Sequence, residues 1–140
     1  MNVRGIMTEH PSCISPSTAV GEAAARMRDL DCGALPVCDN DELVGIVTDR
    51  DLVIRHLAEG RQGGEIRSVM TRDPFTIDAD APLERAEALM VQHQIRRLPV
   101  VENGRLVGML SQADLARHAS HEQAGTLLEA ISQPVGAARR

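Results

Sequence analysis

Apolar positions along the chain change period in an order that occurs twice. A short strand around Cys13 and Ile14 gives way to Val20, Ala23, Ala24 and Met27, which recur at helical spacing. Two apolar runs follow, "ALPVCD" and "LVGIVT", joined by the turn-forming "DND", and this predicts a β-hairpin. A second helix is predicted from Asp49 to about Ala58. Farther on, Leu83, Ala86 and Met90 mark a helix, "RLPVV" and "RLVGML" flank "ENG", and a helix runs from Gln112 to about Ala119.

Sliding the chain over itself explains the recurrence. "RGIMTEHPSCI" matches "RSVMTRDPFTI", and "ALPVCDNDELVGIVTDRDL" matches "RLPVVENGRLVGMLSQADL", always 63 positions apart and without a gap. About a third of the paired positions are identical, so the chain carries a duplicated unit. Each unit reads strand, helix, strand, strand, helix. The expected class is mixed α/β (α+β), with two β-α-β-β-α repeats packed as a pseudo-two-fold pair, since a small sheet with helices on one face leaves apolar surface for a neighbour. The repeats are placed at 1–57 and 66–119, with "AEGRQGGE" (58–65) as linker and 120–140 as a short C-terminal helix, "AGTLLEAIS", and a frayed tail.

Composition narrows the partners. The chain has 140 residues, a size at which one soluble core forms without staples. Phe75 is its one aromatic residue among Phe, Trp and Tyr, and the net charge is −5, which argues against nucleic acid, whose recognition uses stacking rings and clustered cations. Every basic side chain other than histidine is arginine, so bidentate recognition of phosphate or carboxylate stays available. No run reaches the roughly 20 apolar residues of a membrane span, and "MNVRGIMTEHP" lacks a secretory apolar core, so a cytoplasmic protein is expected.

Paired "MT…P", "LPV" and "VG…T/S..DL" units of this length resemble the CBS domain, and the tandem pair resembles the Bateman module, over roughly residues 3–118. In size and layout the chain is similar to the short stand-alone modules of the hypoxic-response type, which implies a stress-response setting. The resemblance implies a regulatory, non-catalytic module that binds an adenosine-containing ligand, with AMP, ADP, ATP, NAD and S-adenosylmethionine as candidates. It also implies pairing into a homodimer and a protein target yet to be identified.

Thr48 with Asp51, and Ser111 with Asp114, stand three apart at strand-to-helix junctions. That spacing fits a capping box. It also fits a ribose site, because a carboxylate at a helix start can accept both hydroxyls of the sugar, and Gly45 and Gly108, three residues before each hydroxyl, leave room for a close approach. The resemblance implies the ribose role for Asp51 and Asp114, with Thr48 and Ser111 near sugar or phosphate. It further implies that sites are built across the pair: Thr48, Arg50 and Asp51 with Phe75, Thr76, Ile95, Arg96 and Arg97, and Ser111 and Asp114 with Cys13, Ile14, Gly33 and Ala34. The first set is cationic and the second nearly neutral.

Other constellations carry less. His118 and His121 could reach one metal, but no acid or cysteine completes a set, and a surface role is expected. There is no lysine for a Schiff base, no GxSxG elbow and no phosphate loop, so no catalytic set is expected. Cys13, Cys32 and Cys38 read as small buried apolar residues. A right-handed crossover would set the strands of Cys13 and Cys38 side by side, within range of a disulfide, which supplies the alternative function: a ligand-free structural or redox-responsive protein.

Overall fold

The computed structural model describes residues 1–119 and 121–133, the side chains of 121–124 excepted. In chain order the elements are β1 (Thr8–Glu9), α1 (Val20–Leu30), β2 (Ala34–Asp39), β3 (Glu42–Thr48), α2 (Asp49–Asp51), β4 (Thr71–Arg72), β5 (Ile77–Asp78), α3 (Leu83–His93), β6 (Arg97–Glu102), β7 (Arg105–Ser111), α4 (Gln112–Arg117) and α5 (His121–Ile131). The fold is mixed α+β. It divides into two compact units, one of Pro11–Pro74 and one of Met1–His10 with the chain from Phe75 onward.

In the Pro11–Pro74 unit, β2 and β3 form an antiparallel hairpin and β4 adds antiparallel to β3. The hairpin turns at Asn40 and Asp41, both at positive φ (51° and 68°), the handedness that matches the twist of the flanking strands. Helix α1 turns Val20, Ala23 and Met27 inward, against Leu35, Val37 and Val47. It stops where Asp31 enters the left-handed region and its N–H donates to the carbonyls of Arg28 and Met27. The strand expected around Cys13 and Ile14 is reduced to one parallel bridge between Ile14 and Val37. The helix expected over 49–58 starts as α2 and continues over Leu52–Leu57 as a π-helix, closed by the Ala58 N–H donating to the Val53 carbonyl.

The second unit repeats the plan with a longer first strand. β5 pairs parallel with β6, β6 antiparallel with β7, and β1 antiparallel with β7. Ala86 and Met90 of α3 lie with Leu98, Val100 and Leu110 in its core, which Ile131 of α5 joins. The expected C-terminal helix is thus present, eleven residues long. The frayed tail expected after it lies outside the described residues.

The segment ahead of each repeat behaves in a way the repeats alone do not disclose. Val3, fully buried, joins the core of the unit that begins at Phe75, and its N–H donates to the Ala81 carbonyl at 2.9 Å. Arg4 follows: its N–H donates to the Ala79 carbonyl at 2.9 Å, and its guanidinium pairs with Asp80 and Glu102, which hold it more firmly protonated, the Glu102 bond first. The matching segment, Ile66 to Arg72, completes the Pro11–Pro74 unit. Compact units and sequence repeats are therefore offset by about one arm.

This corrects the expected use of Gly45 and Gly108. A Cβ on Gly45 would stand 2.8 Å from Met70 Sδ and 2.9 Å from the Thr71 carbonyl, and one on Gly108 would stand 2.5 Å from Met7 Sδ and 2.9 Å from the Thr8 carbonyl. The close approach the glycines permit is that of the chain's own arm.

Candidate functional site

Both strand-to-helix junctions are built alike. Thr48 ends β3 in extended conformation, its Oγ1 accepts from the Asp51 N–H at 3.1 Å, and Asp51 Oδ2 accepts from the Thr48 N–H at 2.9 Å. Ser111 and Asp114 repeat this at 3.1 Å and 2.8 Å. The capping box is real in both copies, although aspartate is shorter than the usual partner. Yet the box uses one oxygen of each acid. Asp51 and Asp114 are the two buried charged residues among the described ones, 8% and 6% exposed, and each keeps Oδ1 for something else. A carboxylate with a spare oxygen at a helix start can accept hydroxyl hydrogens.

Two residues that the sequence reading did not single out face those oxygens. Arg55 Nε stands 3.7 Å from Asp51 Oδ1, and Arg117 pairs with Asp114 Oδ1 through Nη2. The signal was available, since arginine three or four residues after an aspartate on a helix returns to the same face.

Within each unit the start of the hairpin runs beside the junction. Ala34 is the register partner of Thr48, and the Gly33 carbonyl accepts from the Asp49 N–H at 2.9 Å. Arg97 is the register partner of Ser111, and the Arg96 carbonyl accepts from the Gln112 N–H at 2.8 Å. The structure thus brings Gly33 and Ala34 to Thr48 and Asp51, and Arg96 and Arg97 to Ser111 and Asp114. Arg96 is exposed and Arg97 and Ile95 half-buried, while Ala34 is buried and Gly33 half-buried. Arg50 is exposed on α2, its N–H donating to Asp49 Oδ1.

Phe75 is 49% exposed, with its neighbour Thr76 half-buried. Its ring stacks on His93, at the end of α3, with centroids 3.7 Å apart and planes at 14°. One face is covered by imidazole, which leaves the rest of the ring as a surface on which a flat base could lie.

Cys13 is exposed and Ile14 buried. The Ile14 carbonyl accepts from the Cys38 N–H at 2.8 Å, and this parallel pairing sets the Cα atoms of Cys13 and Cys38 6.2 Å apart with their sulfurs joined. Cys32 is free.

Elsewhere, burial pushes the Glu87 carboxyl up, with the charge of Glu84 adding to it, in a groove between α3 and α5 that Leu83, Val91 and Leu127 also line. Among the described residues no group of three or more His, Cys, Asp or Glu is placed to hold a metal ion. His118 is exposed and its Nδ1 lies 3.0 Å from the Asp114 carbonyl, while the side chain of His121 lies outside the described residues. No helix among the described residues is long and apolar enough to cross a membrane.

Comparisons with known proteins agree with this geometry. The CBS domain family matches twice, at residues 3–56 and 66–121. The chain is 40% identical over 133 residues to the CBS domain-containing protein YhcV of Bacillus subtilis, covering 94% of this chain and 95% of that one. It is 38% identical over 138 residues to hypoxic response protein 1 of Mycobacterium tuberculosis, covering 96% of each. Among solved structures, CBSX2 in complex with AMP superposes with a TM-score of 0.75 at 30% identity, over 87% of this chain and 98% of that one. The CBS domain pair of MJ0100, in complex with 5'-methylthioadenosine and S-adenosyl-L-methionine, gives 0.79 at 28% identity, over 84% and 94%. A duplicated β-hairpin unit with a capped, buried aspartate at each junction, matched twice by one family model, makes this chain a member of the CBS domain family with two copies of the domain.

Proposed function

We propose that the protein is a regulatory module, without catalysis of its own, that binds an adenosine-containing nucleotide and signals by a change of conformation or of dimer arrangement. The observation that carries this reading is a buried aspartate at each of two helix starts whose capping box uses one carboxylate oxygen and leaves Oδ1 outside the cap, beyond hydrogen-bond distance of Arg55 at Asp51 and paired with Arg117 at Asp114, where a ribose diol would find a carboxylate acceptor. The complexes of CBSX2 with AMP and of MJ0100 with adenosine derivatives support the ligand class. In this reading Asp51, with Thr48 and Arg50, and Asp114, with Ser111, are the ribose-side residues of two ligand sites. The setting is the cytoplasm.

The test is a thermal-shift screen over AMP, ADP, ATP, NAD and S-adenosylmethionine, since a ligand that binds the native state raises its melting temperature by mass action. A concentration-dependent rise with at least one of them supports the reading, and none overturns it. The module acts as a homodimer, for which Val53, Ile54 and Leu57 supply apolar surface at 52%, 45% and 69% exposure. Light scattering on the same sample reads a dimer, and a monomer at micromolar concentration contradicts it.

A second reading is favoured by the approach of Cys13 to Cys38: a redox-responsive protein in which that bridge fixes the first strand of the Pro11–Pro74 unit. Alkylation under native, non-reducing conditions followed by mass spectrometry separates the cases. One labelled cysteine per chain is expected if the bridge persists, and three exclude it.

A further inference from the structure

The two aspartates differ in what occupies their spare oxygen. Arg55 stands off from Asp51: its Nε is 3.7 Å from Oδ1, beyond hydrogen-bond distance, and its Nη1 lies 3.3 Å and 3.5 Å from the carbonyls of Val69 and Met70, which accept from it. Arg117 instead donates directly to Asp114 Oδ1. The two arginines are not equivalent residues of the repeat. Sixty-three positions on from Arg55 stands His118, and Arg117 corresponds to Ile54. The first repeat thus has an apolar side chain where the second has a guanidinium.

We propose that Arg117 is the residue that makes the two junctions unequal as ribose acceptors, because it holds the oxygen of Asp114 that a diol would need. The inference rests on the ligand-binding reading above. At Asp51 a ribose hydroxyl finds Oδ1 with a cation nearby and no hydrogen bond to break. At Asp114 with its cap intact, the same hydroxyl must displace the Arg117 donor or share the oxygen with it, and a diol needs two acceptor positions in line. Arg117 is 66% exposed on its side-chain surface, so water screens the pair and the penalty is modest. Its loss strengthens binding at Asp114 about fivefold, the ratio that about 1 kcal/mol of exposed pairing represents.

The experiment is calorimetric titration of AMP into four full-length proteins: unmodified, Asp51→Asn, Arg117→Met and the double variant, each checked for native helix content by circular dichroism. Arg117→Met keeps the aliphatic stem and removes the donor. The expected result is a gain of about fivefold in the double variant over Asp51→Asn alone, with the tighter site of the unmodified protein unchanged by Arg117→Met. AMP binding in the double variant that is unchanged or weaker than in Asp51→Asn, as would follow if the Arg117 guanidinium served the phosphate, overturns the inference and leaves the ligand-binding reading standing. Failure of all four proteins to bind AMP overturns the inference, while the ligand-binding reading falls only if none of the five screened ligands raises the melting temperature.

Discussion

Asp51→Asn lowers the affinity for an adenosine phosphate by tenfold or more. The substitution keeps the shape of the side chain, and an amide oxygen can still accept the Thr48 N–H, so the cap survives in outline. What is lost is the ionised acceptor, and a hydrogen bond to a charged group is worth about 1.5–3 kcal/mol, or roughly tenfold to a hundredfold in affinity. Asp114→Asn has a smaller effect on phosphorylated ligands, because Asp114 Oδ1 already accepts from Arg117, whereas Oδ1 of Asp51 stands 3.7 Å from Arg55, beyond hydrogen-bond distance. Calorimetric titration of both variants, after circular dichroism has confirmed their helices, measures the difference. Wild-type affinity in a folded Asp51→Asn protein would leave Thr48 and Asp51 with the capping role alone.

Val3→Asp destabilises the unit that begins at Phe75 and spares the unit of Pro11–Pro74. Val3 is fully buried against Ile77, Leu98 and the other residues of that core, and an unpaired carboxylate there costs several kcal/mol or must take up a proton. Against a typical total of about 5–15 kcal/mol this is a large share. Ile66→Asp, at the corresponding position of the second repeat and equally buried, should do the reverse. Hydrogen exchange tells the two apart: the first variant loses protection over β6 and β7, the second over β2 and β3. Protection lost around α1 in Val3→Asp would show that the arm belongs with the repeat it precedes in sequence.

Much of this structure could be read from residues. The hairpins follow from apolar runs around "DND" and "ENG", whose central residues tolerate the positive φ that such turns need. The helices follow from spacing, and the capped junctions from Thr48 with Asp51 and Ser111 with Asp114. The arms were opaque for a definite reason. "RGIMT" and "RSVMT" carry nearly the same side chains, so either would fit either core, and local pattern holds no record of which was chosen. The purpose of Gly45 and Gly108 was hidden with them, since a glycine announces that something comes close without saying what. The π-helix at Leu52–Leu57 was equally silent, because a change of hydrogen-bond partner alters no residue's chemistry. At the candidate site the acids stand out by their repeat, and their arginines only by helical spacing, four residues after Asp51 and three after Asp114. The offset of one position between Arg55 and Arg117 falls between repeats that otherwise align, and it takes on meaning once each guanidinium is seen against its carboxylate.

The exchange of arms also sets an order of events during synthesis. The Pro11–Pro74 unit is made of one continuous stretch, so every partner it needs has been translated by the time Pro74 leaves the ribosome. The other unit must wait. Arg4 meets Asp80 and Glu102, partners 76 and 98 residues downstream, so this arm is made long before the residues it pairs with. Closing so long a loop is slow compared with local pairing. Until β6 and β7 are translated, Val3 and Ile6 are apolar side chains whose core does not yet exist, and the nascent chain must carry them uncovered.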